Sequence, residues 1–510
     1  MSVSIKTSRK IGLFTAISIL IGSVIGIGIF FKNNSVFKTN NGEGIFVLIS
    51  WILAAIISTA TAFSFGEAST SVSSNTGLGG WSEKLCGKKF GYFTKYNFGI
   101  FYFGILLISF AIFLSESILN IFGINTDVNN IMIYVVLLGF VLITLLVVLN
   151  LFASRASQFG QIILSSLKFI PIIMVVLVGL IFFNKNGNNL FIPGNNENID
   201  GFIPSENHIG IVGILGSLPS VLFAFDSFTC VGSIANDAKS QKTVPLAIVI
   251  GMLLVSFIYI LITIVQILVG SGTVEGVFEN MLKDNDTAKN VINIVVKVFM
   301  FLSVLGVANS FTITCLRTCD GLVQEKIIAG HQFYAKIGGN RPMFAGSMLF
   351  GIVAIFWFII CATLSVVFKH DAFVDGLSNY PTLFFFAIYG IVVLFTFVNR
   401  FTKKVEVKKL NSFIFYPMAV ISFLGILLVF CYQFFYENIA KLFIDWKGEV
   451  QWGVLFGPND NKVQIWQASI VFFTMLLLFM IGPVVNFYLN KLITKKLSLN
   501  NYSFSENENV

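Results

Sequence analysis

Charged residues are scarce in this sequence. Asp, Glu, Lys and Arg together make up 11% of the 510 residues, whereas 56% are hydrophobic. A soluble globular domain carries about 25% charged residues, so the composition excludes that class. Long apolar stretches separated by short polar connections predict an all-α polytopic membrane protein that is surrounded by the lipid bilayer.

Cysteine and histidine are also scarce, and neither forms a pattern. None of the six cysteines belongs to a Cys-x-x-Cys pair, and the three histidines are scattered over the connections. Disulfide frameworks and metal sites need such pairs or ligand sets. We therefore expect no disulfide, no bound metal and no cofactor.

Signatures of other protein classes are missing as well. The sequence has no Gly-x-x-x-x-Gly-Lys-Ser/Thr loop, no His-Glu-x-x-His pattern and no Gly-x-Ser-x-Gly turn, so neither an enzyme nor an ATP-driven pump is expected. A channel filter of the Thr-Val-Gly-Tyr-Gly type is absent too. No basic run is interleaved with aromatic residues in a soluble segment, so nucleic acid is not an expected partner.

Twelve apolar segments approach or exceed the roughly 20 residues that a membrane helix needs. They lie at 11–31, 44–66, 92–121, 131–152, 158–182, 209–235, 244–270, 290–314, 343–367, 381–399, 412–435 and 465–490. With the N-terminus inside, most of the 33 Lys and Arg fall on the cytoplasmic side and most acidic residues on the other. This positive-inside bias predicts that both termini, including a tail at 491–510, are cytoplasmic. We expect a multi-pass protein of the plasma membrane.

The first apolar segment contains the stretch Gly22-Ser23-Val24-Ile25-Gly26-Ile27-Gly28-Ile29-Phe30. Each glycine weakens a helix by roughly 0.8–1.0 kcal/mol relative to alanine. One interpretation is that the helix opens here and presents N–H and C=O groups to a carboxylate and an ammonium. The other interpretation is that the glycines only allow a neighbouring helix to pack closely.

The sixth segment carries a matching irregularity, because Gly216, Pro219 and Asp226 interrupt one apolar stretch. Transporters built from inverted repeats interrupt corresponding segments in their two halves. We therefore expect a five-plus-five inverted repeat in a transporter core at 1–400, with repeat one at about 11–182 and repeat two at about 209–400. Residues 401–490 then form two extra, peripheral C-terminal helices.

Motifs in this order resemble the amino acid–polyamine–organocation superfamily of permeases. The glycine stretch resembles that family's unwound first span, and Phe223–Phe228 resembles the break in its sixth span. Further matches lie at Ser166–Pro171, Asn236–Pro245 and Asn309–Gly321, although the family's acidic pair is replaced by Asn236-Asp237. The resemblance implies a LeuT-like fold that moves amino acids by alternating access, through sodium-independent proton symport or exchange.

Two other functions fit the same scaffold. One is an antiporter that exchanges an amino acid for an amine, or an antiporter of polyamines. The other is a sensor that binds an amino acid without transporting it. Counterflow of labelled substrate in liposomes separates a transporter from a sensor.

The resemblance also implies a binding site between the two breaks, which contacts the carboxylate and the ammonium of an amino acid. Amides around Ile25–Gly28 take the carboxylate, carbonyls of both breaks take the ammonium, and Phe223 and Phe225 cover the substrate. Ordinary packing is the alternative for these two rings in a chain with 57 phenylalanines. The expected substrate-binding residues are Gly22, Ser23, Val24, Ile25, Gly26, Ile27, Gly28, Phe223, Ala224, Phe225 and Asp226.

Lys168 lies about ten residues into span 5, which is ~15 Å at 1.5 Å per residue. A lysine near mid-membrane costs about 2.5–3.5 kcal/mol on insertion scales. The side chain either extends to a lipid head group or has a function. Family members that do not depend on sodium carry such a lysine beside the broken first span, so the resemblance makes Lys168 the expected coupling residue.

Asp226 lies in the break of span 6 and has two interpretations. Its carboxylate either caps the opened half-helix, or it pairs with a cationic substrate or carries a coupling proton. A charge-assisted hydrogen bond to a substrate contributes about 1.5–3 kcal/mol. The second interpretation predicts a preference for cationic or broadly mixed amino acids over acidic ones.

Overall fold

The computed structural model describes residues 11–26, 28–72, 77–124, 131–182, 210–234, 238–281, 286–339, 343–368, 372–451 and 462–506. Predictions about Ile27, Asn236, Asp237 and the end of the tail, 507–510, lie outside these residues. The described chain is mostly helical, and its strands form one antiparallel hairpin of Glu449–Gln451 and Lys462–Gln464. The all-α prediction is therefore confirmed.

Eleven helices in the described residues are long and apolar enough to cross a membrane. They correspond to the predicted spans 2 to 12, and we keep those numbers. Their bounds are Gly44–Ala68, Lys88–Ile121, Met132–Phe152, Phe159–Ile181, Ile211–Gly232, Thr243–Val269, Lys289–Gln324, Phe344–Leu364, Gly376–Thr402, Ser412–Asp445 and Ile465–Ile493. Shorter helices at Leu78–Cys86, Val274–Met281 and His331–Gly338 belong to the connections.

The first predicted span is divided, so no continuous helix of membrane length exists there. Its first half is the helix Leu13–Val24, and its second half comprises a π-helical turn at Gly28–Lys32 and the helix Asn33–Thr39. The second half therefore continues eight residues beyond the predicted end at Phe31. Counted as one broken span, it completes the predicted set of about twelve.

The spans pack in two main groups. Spans 1, 2, 6 and 7 contact one another, and so do spans 3, 4, 8 and 9. Span 5 packs against spans 7 and 8, whereas span 10 contacts spans 2, 3, 6 and 11. Both breaks in the chain therefore lie within the first group, with spans 5, 8 and 10 beside them.

A buried ion pair joins span 2 to span 10. The Arg400 Nε donates to Glu67 Oε1 at 3.1 Å, and both side chains are almost completely buried. The Leu410 amide donates to the same carboxylate at 3.0 Å, and the guanidinium lies 4.0 Å from the Phe415 ring centre. This cluster fixes the connection between spans 10 and 11 against span 2.

A second ionic cluster lies at the start of span 3. The buried Lys95 ammonium forms ion pairs with Glu83 and, at 2.6 Å, with Glu325. It thereby joins the connection helix Leu78–Cys86 and span 3 to the residue that follows span 8. On the predicted topology, both ionic clusters belong to the cytoplasmic side.

Candidate functional site

The first helix ends where the glycine pattern predicts. Val24 is the last helical residue, and Ile25 is extended, with φ −73° and ψ 115°. The Ile25 amide still donates to the Ile21 carbonyl at 2.9 Å. Gly26 follows, and the second half of the span begins at Gly28. The predicted break in span 1 is confirmed.

The same glycines also lie at close contacts between spans. A Cβ added to Gly22 would lie 2.7 Å from the Ser165 Oγ in span 5, and one on Gly26 would lie 2.2 Å from a Val307 methyl in span 8. A Cβ on Gly28 would lie within 2.4 Å of the Ala224 Cα in span 6. The helix thus opens here, and its glycines also permit close packing. That the opened groups receive a carboxylate and an ammonium stays a prediction.

Span 6 breaks directly after Phe225. Asp226 is extended, with φ −70° and ψ 178°, and Ser227 has a φ of +75°. A 3₁₀ segment, Phe228–Ile234, continues the span. A positive φ is rare outside glycine, so Ser227 marks an unusual backbone at the break. Pro219 lies inside the helix and does not end it.

Tyr259 of span 7 connects the two breaks. Its hydroxyl lies 3.0 Å from the Val24 carbonyl oxygen in span 1 and 3.0 Å from the Ala224 carbonyl oxygen in span 6. The side chain is fully buried. Since Gly28 packs on Ala224 as well, the open ends of the two broken helices face each other within a few ångströms.

Lys168 of span 5 lies at the break in span 1, as the resemblance implied. Its buried ammonium donates to the Gly22 carbonyl oxygen and, at 2.8 Å, to the Ile25 carbonyl oxygen. These are two of the carbonyls that the end of the first half-helix leaves without a partner in the helix. The neighbouring Ser23 hydroxyl lies 3.0 Å from the Ser310 hydroxyl in span 8.

The Asp226 carboxylate is surrounded by donors of the protein itself. It accepts hydrogen bonds from the hydroxyls of Tyr102 at 2.9 Å, Thr382 at 2.9 Å and Tyr389 at 3.0 Å. The Ser227 amide donates to it at 2.7 Å. These donors come from spans 3, 6 and 10, so the carboxylate ties the break in span 6 to two neighbouring spans.

The two phenylalanines before the break differ in their surroundings. Phe225 is fully buried between Trp51 and Tyr259, with ring centres 5.9 and 5.1 Å away. It therefore packs span 6 against spans 2 and 7. Phe223 instead lies against Phe110 of span 3, 6.3 Å between ring centres, and against the Lys32 ammonium.

Several residues of this region were not predicted from the sequence: Lys32, Tyr102, Tyr259, Thr382 and Tyr389. Lys32 directly follows the predicted end of span 1 at Phe31. The buried hydroxyls belong to ordinary-looking apolar spans. The break inside span 1 is the sequence signal that could have included Lys32. A divided helix needs more residues to cross a bilayer of the same thickness, so the span extends beyond Phe31.

The two breaks offer main-chain amides, which can donate hydrogen bonds, and main-chain carbonyls, which can accept them. The amides at the start of a helix have no partner within it, and Gly26 and Gly28 stand at that point of span 1. The carbonyls of Gly22, Val24, Phe223 and Ala224 already accept a hydrogen bond from the protein. A carbonyl oxygen has two lone pairs, so the Val24, Phe223 and Ala224 carbonyls can each accept a further hydrogen bond, whereas the Gly22 carbonyl already faces the Lys168 ammonium. Among the described residues, no group of three His, Cys, Asp or Glu side chains is placed to hold a metal ion.

Comparison with known proteins agrees with this geometry. A family model described as amino acid permease matches residues 11–481. The serine/threonine exchanger SteT of Bacillus subtilis is 22% identical, over 82% of this chain and 89% of its own length. The mouse b(0,+)-type amino acid transporter 1 is 24% identical over 82% of each chain. The mouse Asc-type amino acid transporter 1 is 22% identical, over 84% of this chain and 78% of its own.

Proposed function

The chain belongs to the amino acid permease family, and from this premise we propose that it carries amino acids across the plasma membrane by alternating access. We further propose that transport is independent of sodium and runs as proton symport or exchange. One of the relatives is a serine/threonine exchanger, and this supports exchange. On this proposal both termini are cytoplasmic, in agreement with the distribution of positive residues.

The observation that carries the proposal is the meeting of the two broken helices. Gly28 packs on the Ala224 backbone, and one hydroxyl, that of Tyr259, lies between the Val24 and Ala224 carbonyl oxygens. An amino acid presents a carboxylate and an ammonium a fixed distance apart, and the two breaks together present both main-chain amides and main-chain carbonyls. The main-chain groups at 22–28 and 223–226 are therefore the proposed binding site.

Lys168 supports independence from sodium. Its ammonium already contacts the Gly22 and Ile25 carbonyl oxygens, which are the type of ligand that a bound cation needs. A second positive charge at the same place would be repelled strongly in a low-dielectric interior. We propose that Lys168 supplies the positive charge that an ion supplies in sodium-coupled transporters.

The substrate class depends on what Asp226 contacts. A preference for cationic amino acids requires that the carboxylate meets the substrate, whereas four protein donors surround it in the structure. This favours the other interpretation, in which Asp226 fixes the shape of the break. We propose recognition of the amino acid main chain, with a substrate range that includes neutral amino acids.

The grouping of the spans supports the proposed repeats. In a five-plus-five repeat, spans 1 to 4 correspond to spans 6 to 9, and the two packing groups contain whole corresponding pairs. Spans 11 and 12 have no counterpart in the five-plus-five scheme, and span 11 packs on span 2 and span 10 from outside the repeats. The proposed repeats cover about 11–182 and 209–400, and the alternating motion would take place between the two groups.

Counterflow in proteoliposomes tests the proposal. Vesicles loaded with an unlabelled amino acid should accumulate the labelled form from outside, and a panel of competitors should identify the substrate. A pH gradient that drives uptake without internal substrate indicates symport, and uptake only into loaded vesicles indicates exchange. Binding without any counterflow, measured by thermal stabilisation, would identify a sensor and contradict the transport proposal.

A further inference from the structure

We propose that Lys32 closes the outer side of the substrate site, by holding the second half of span 1 against spans 6 and 10 until a substrate enters. This inference rests on the proposed function, because a site that opens alternately to each side needs a closure on each. The closure is formed by four side chains, Lys32, Phe223, Ser378 and Asn379, which we call the outer cluster.

The contacts of Lys32 reach two other spans. Its ammonium donates to the Ser378 hydroxyl at 2.8 Å and to the Asn379 side-chain oxygen at 2.8 Å, both in span 10. It also lies 4.4 Å from the centre of the Phe223 ring in span 6. The side chain is only 1% exposed. A single cation thus contacts side chains of two other spans at once.

The position of the outer cluster relative to the breaks suits a closure. Lys32 follows Gly28 by four residues, about one helical turn, and Phe223 immediately precedes Ala224. The cluster therefore lies one turn from the point where Gly28 packs on Ala224. On the proposed topology this is the outer side, because span 1 runs outward and span 6 runs inward. A substrate that arrives from outside must pass it.

The outer cluster also links spans 6 and 10 directly. The Asn379 amide nitrogen lies 3.4 Å from the Ser220 hydroxyl, one turn before Phe223. Release of Lys32 would free Phe223 to turn away and would leave Ser378, Asn379 and the ammonium to water. Water can replace these polar contacts once the passage opens, so the closure is reversible.

A cysteine reporter behind the outer cluster tests the inference. Ser310 suits this use, because its hydroxyl lies 3.0 Å from Ser23 at the break and a thiol replaces it with little change in size. The Ser310→Cys variant is treated from outside, in right-side-out vesicles, with a methanethiosulfonate reagent that does not cross membranes. The labelling rate is compared with and without Lys32→Met. Removal of the closure should raise that rate at least tenfold.

Two controls make the comparison specific. Lys297→Met removes a partly exposed lysine from span 8, away from the outer cluster, and should leave the rate unchanged. The chain without Ser310→Cys gives the background of its own cysteines, four of which are buried. Of the other two, Cys86 reacts slowly at neutral pH, because burial raises the pKa of its thiol to about 12.

An unchanged rate in Lys32→Met, with the protein folded, would overturn the inference. If Lys32→Met does not fold, the pair Ser378→Ala and Asn379→Ala removes two hydrogen-bond acceptors of the ammonium and should raise labelling in the same direction. Labelling that rises equally from both sides would show general loosening and would also contradict a closure. Counterflow by the parent protein is measured separately, so failure of transport and failure of the Lys32 inference remain distinguishable.

Discussion

The Lys168 ammonium lies 2.8 Å from the Ile25 carbonyl oxygen, at the residue where the first span leaves its helix. The carbonyl and the ammonium come from positions 143 residues apart in the chain. Each satisfies the other in a region that excludes water. This contact explains how a lysine can be fully buried in span 5, and it defines what should happen when the charge is removed.

We expect uptake to be unchanged when sodium is replaced by choline, because the Lys168 ammonium holds the place of a bound cation. We expect Lys168→Met to lower the uptake rate at least tenfold, since the Gly22 and Ile25 carbonyls lose a charged donor, a loss of about 1.5–3 kcal/mol. Lys297→Met is the matched control. A steep sodium requirement in the parent protein would contradict the assignment.

The break in span 1 should accommodate a side chain at Gly26 only if the neighbouring Val307 side chain moves or is made smaller. We expect Gly26→Leu to abolish substrate binding while the protein still inserts and folds. Gly26→Ala should weaken binding less, and Val307→Ala should restore part of that loss, because the added Cβ meets a Val307 methyl at 2.2 Å. Binding is measured by thermal shift with substrate. Unaltered affinity in folded Gly26→Leu would refute main-chain recognition.

The Glu67–Arg400 pair should contribute to stability and much less to transport specificity. Arg400→Met leaves a buried carboxylate without its partner, and removing one member of such a pair costs about 3–5 kcal/mol. We expect a clear fall in melting temperature, and partial recovery in the double variant Glu67→Gln, Arg400→Met. Lys447→Met, which alters an exposed lysine after span 11, serves as the control. Equal melting temperatures for all variants would show that the pair is dispensable.

Both breaks could be predicted because their causes are local in the sequence. Three glycines within seven residues weaken the helix in span 1, and a charged residue after Phe223-Ala224-Phe225 interrupts span 6. Lys168 could be predicted because a charge at that depth needs a reason. These signals require no knowledge of which spans are neighbours.

The partners of these groups could not be predicted from the sequence. Tyr259 contacts carbonyls 235 and 35 residues away, and Tyr102 and Tyr389 reach Asp226 from 124 and 163 residues away. A tyrosine in an apolar span has the same local pattern whether its hydroxyl faces a head group or a buried carboxylate. Only the packing of spans 3, 6, 7 and 10 decides between these possibilities.

Asp226→Asn separates the two roles of this carboxylate. In the structure its oxygens accept three hydroxyl bonds and one amide bond. An asparagine keeps one oxygen for the Ser227 amide, and it loses the charge that strengthens the other bonds. Hydrogen bonds to charged groups contribute about 1.5–3 kcal/mol, against about 0.5–1.5 kcal/mol for neutral ones. We therefore expect affinity to fall by roughly 1 kcal/mol, about fivefold, and to the same extent for neutral and cationic amino acids.

The measurement compares competition by a neutral and by a cationic amino acid against one labelled substrate, in the parent protein and in Asp226→Asn. The double change Tyr102→Phe, Tyr389→Phe removes two donors but keeps the carboxylate, and it should lower both affinities together as well. If Asp226 instead meets the substrate, Asp226→Asn weakens only the cationic competitor, by about 10–150-fold. In that case the double tyrosine variant should favour cationic substrates, because a carboxylate freed from two donors attracts a cation more strongly.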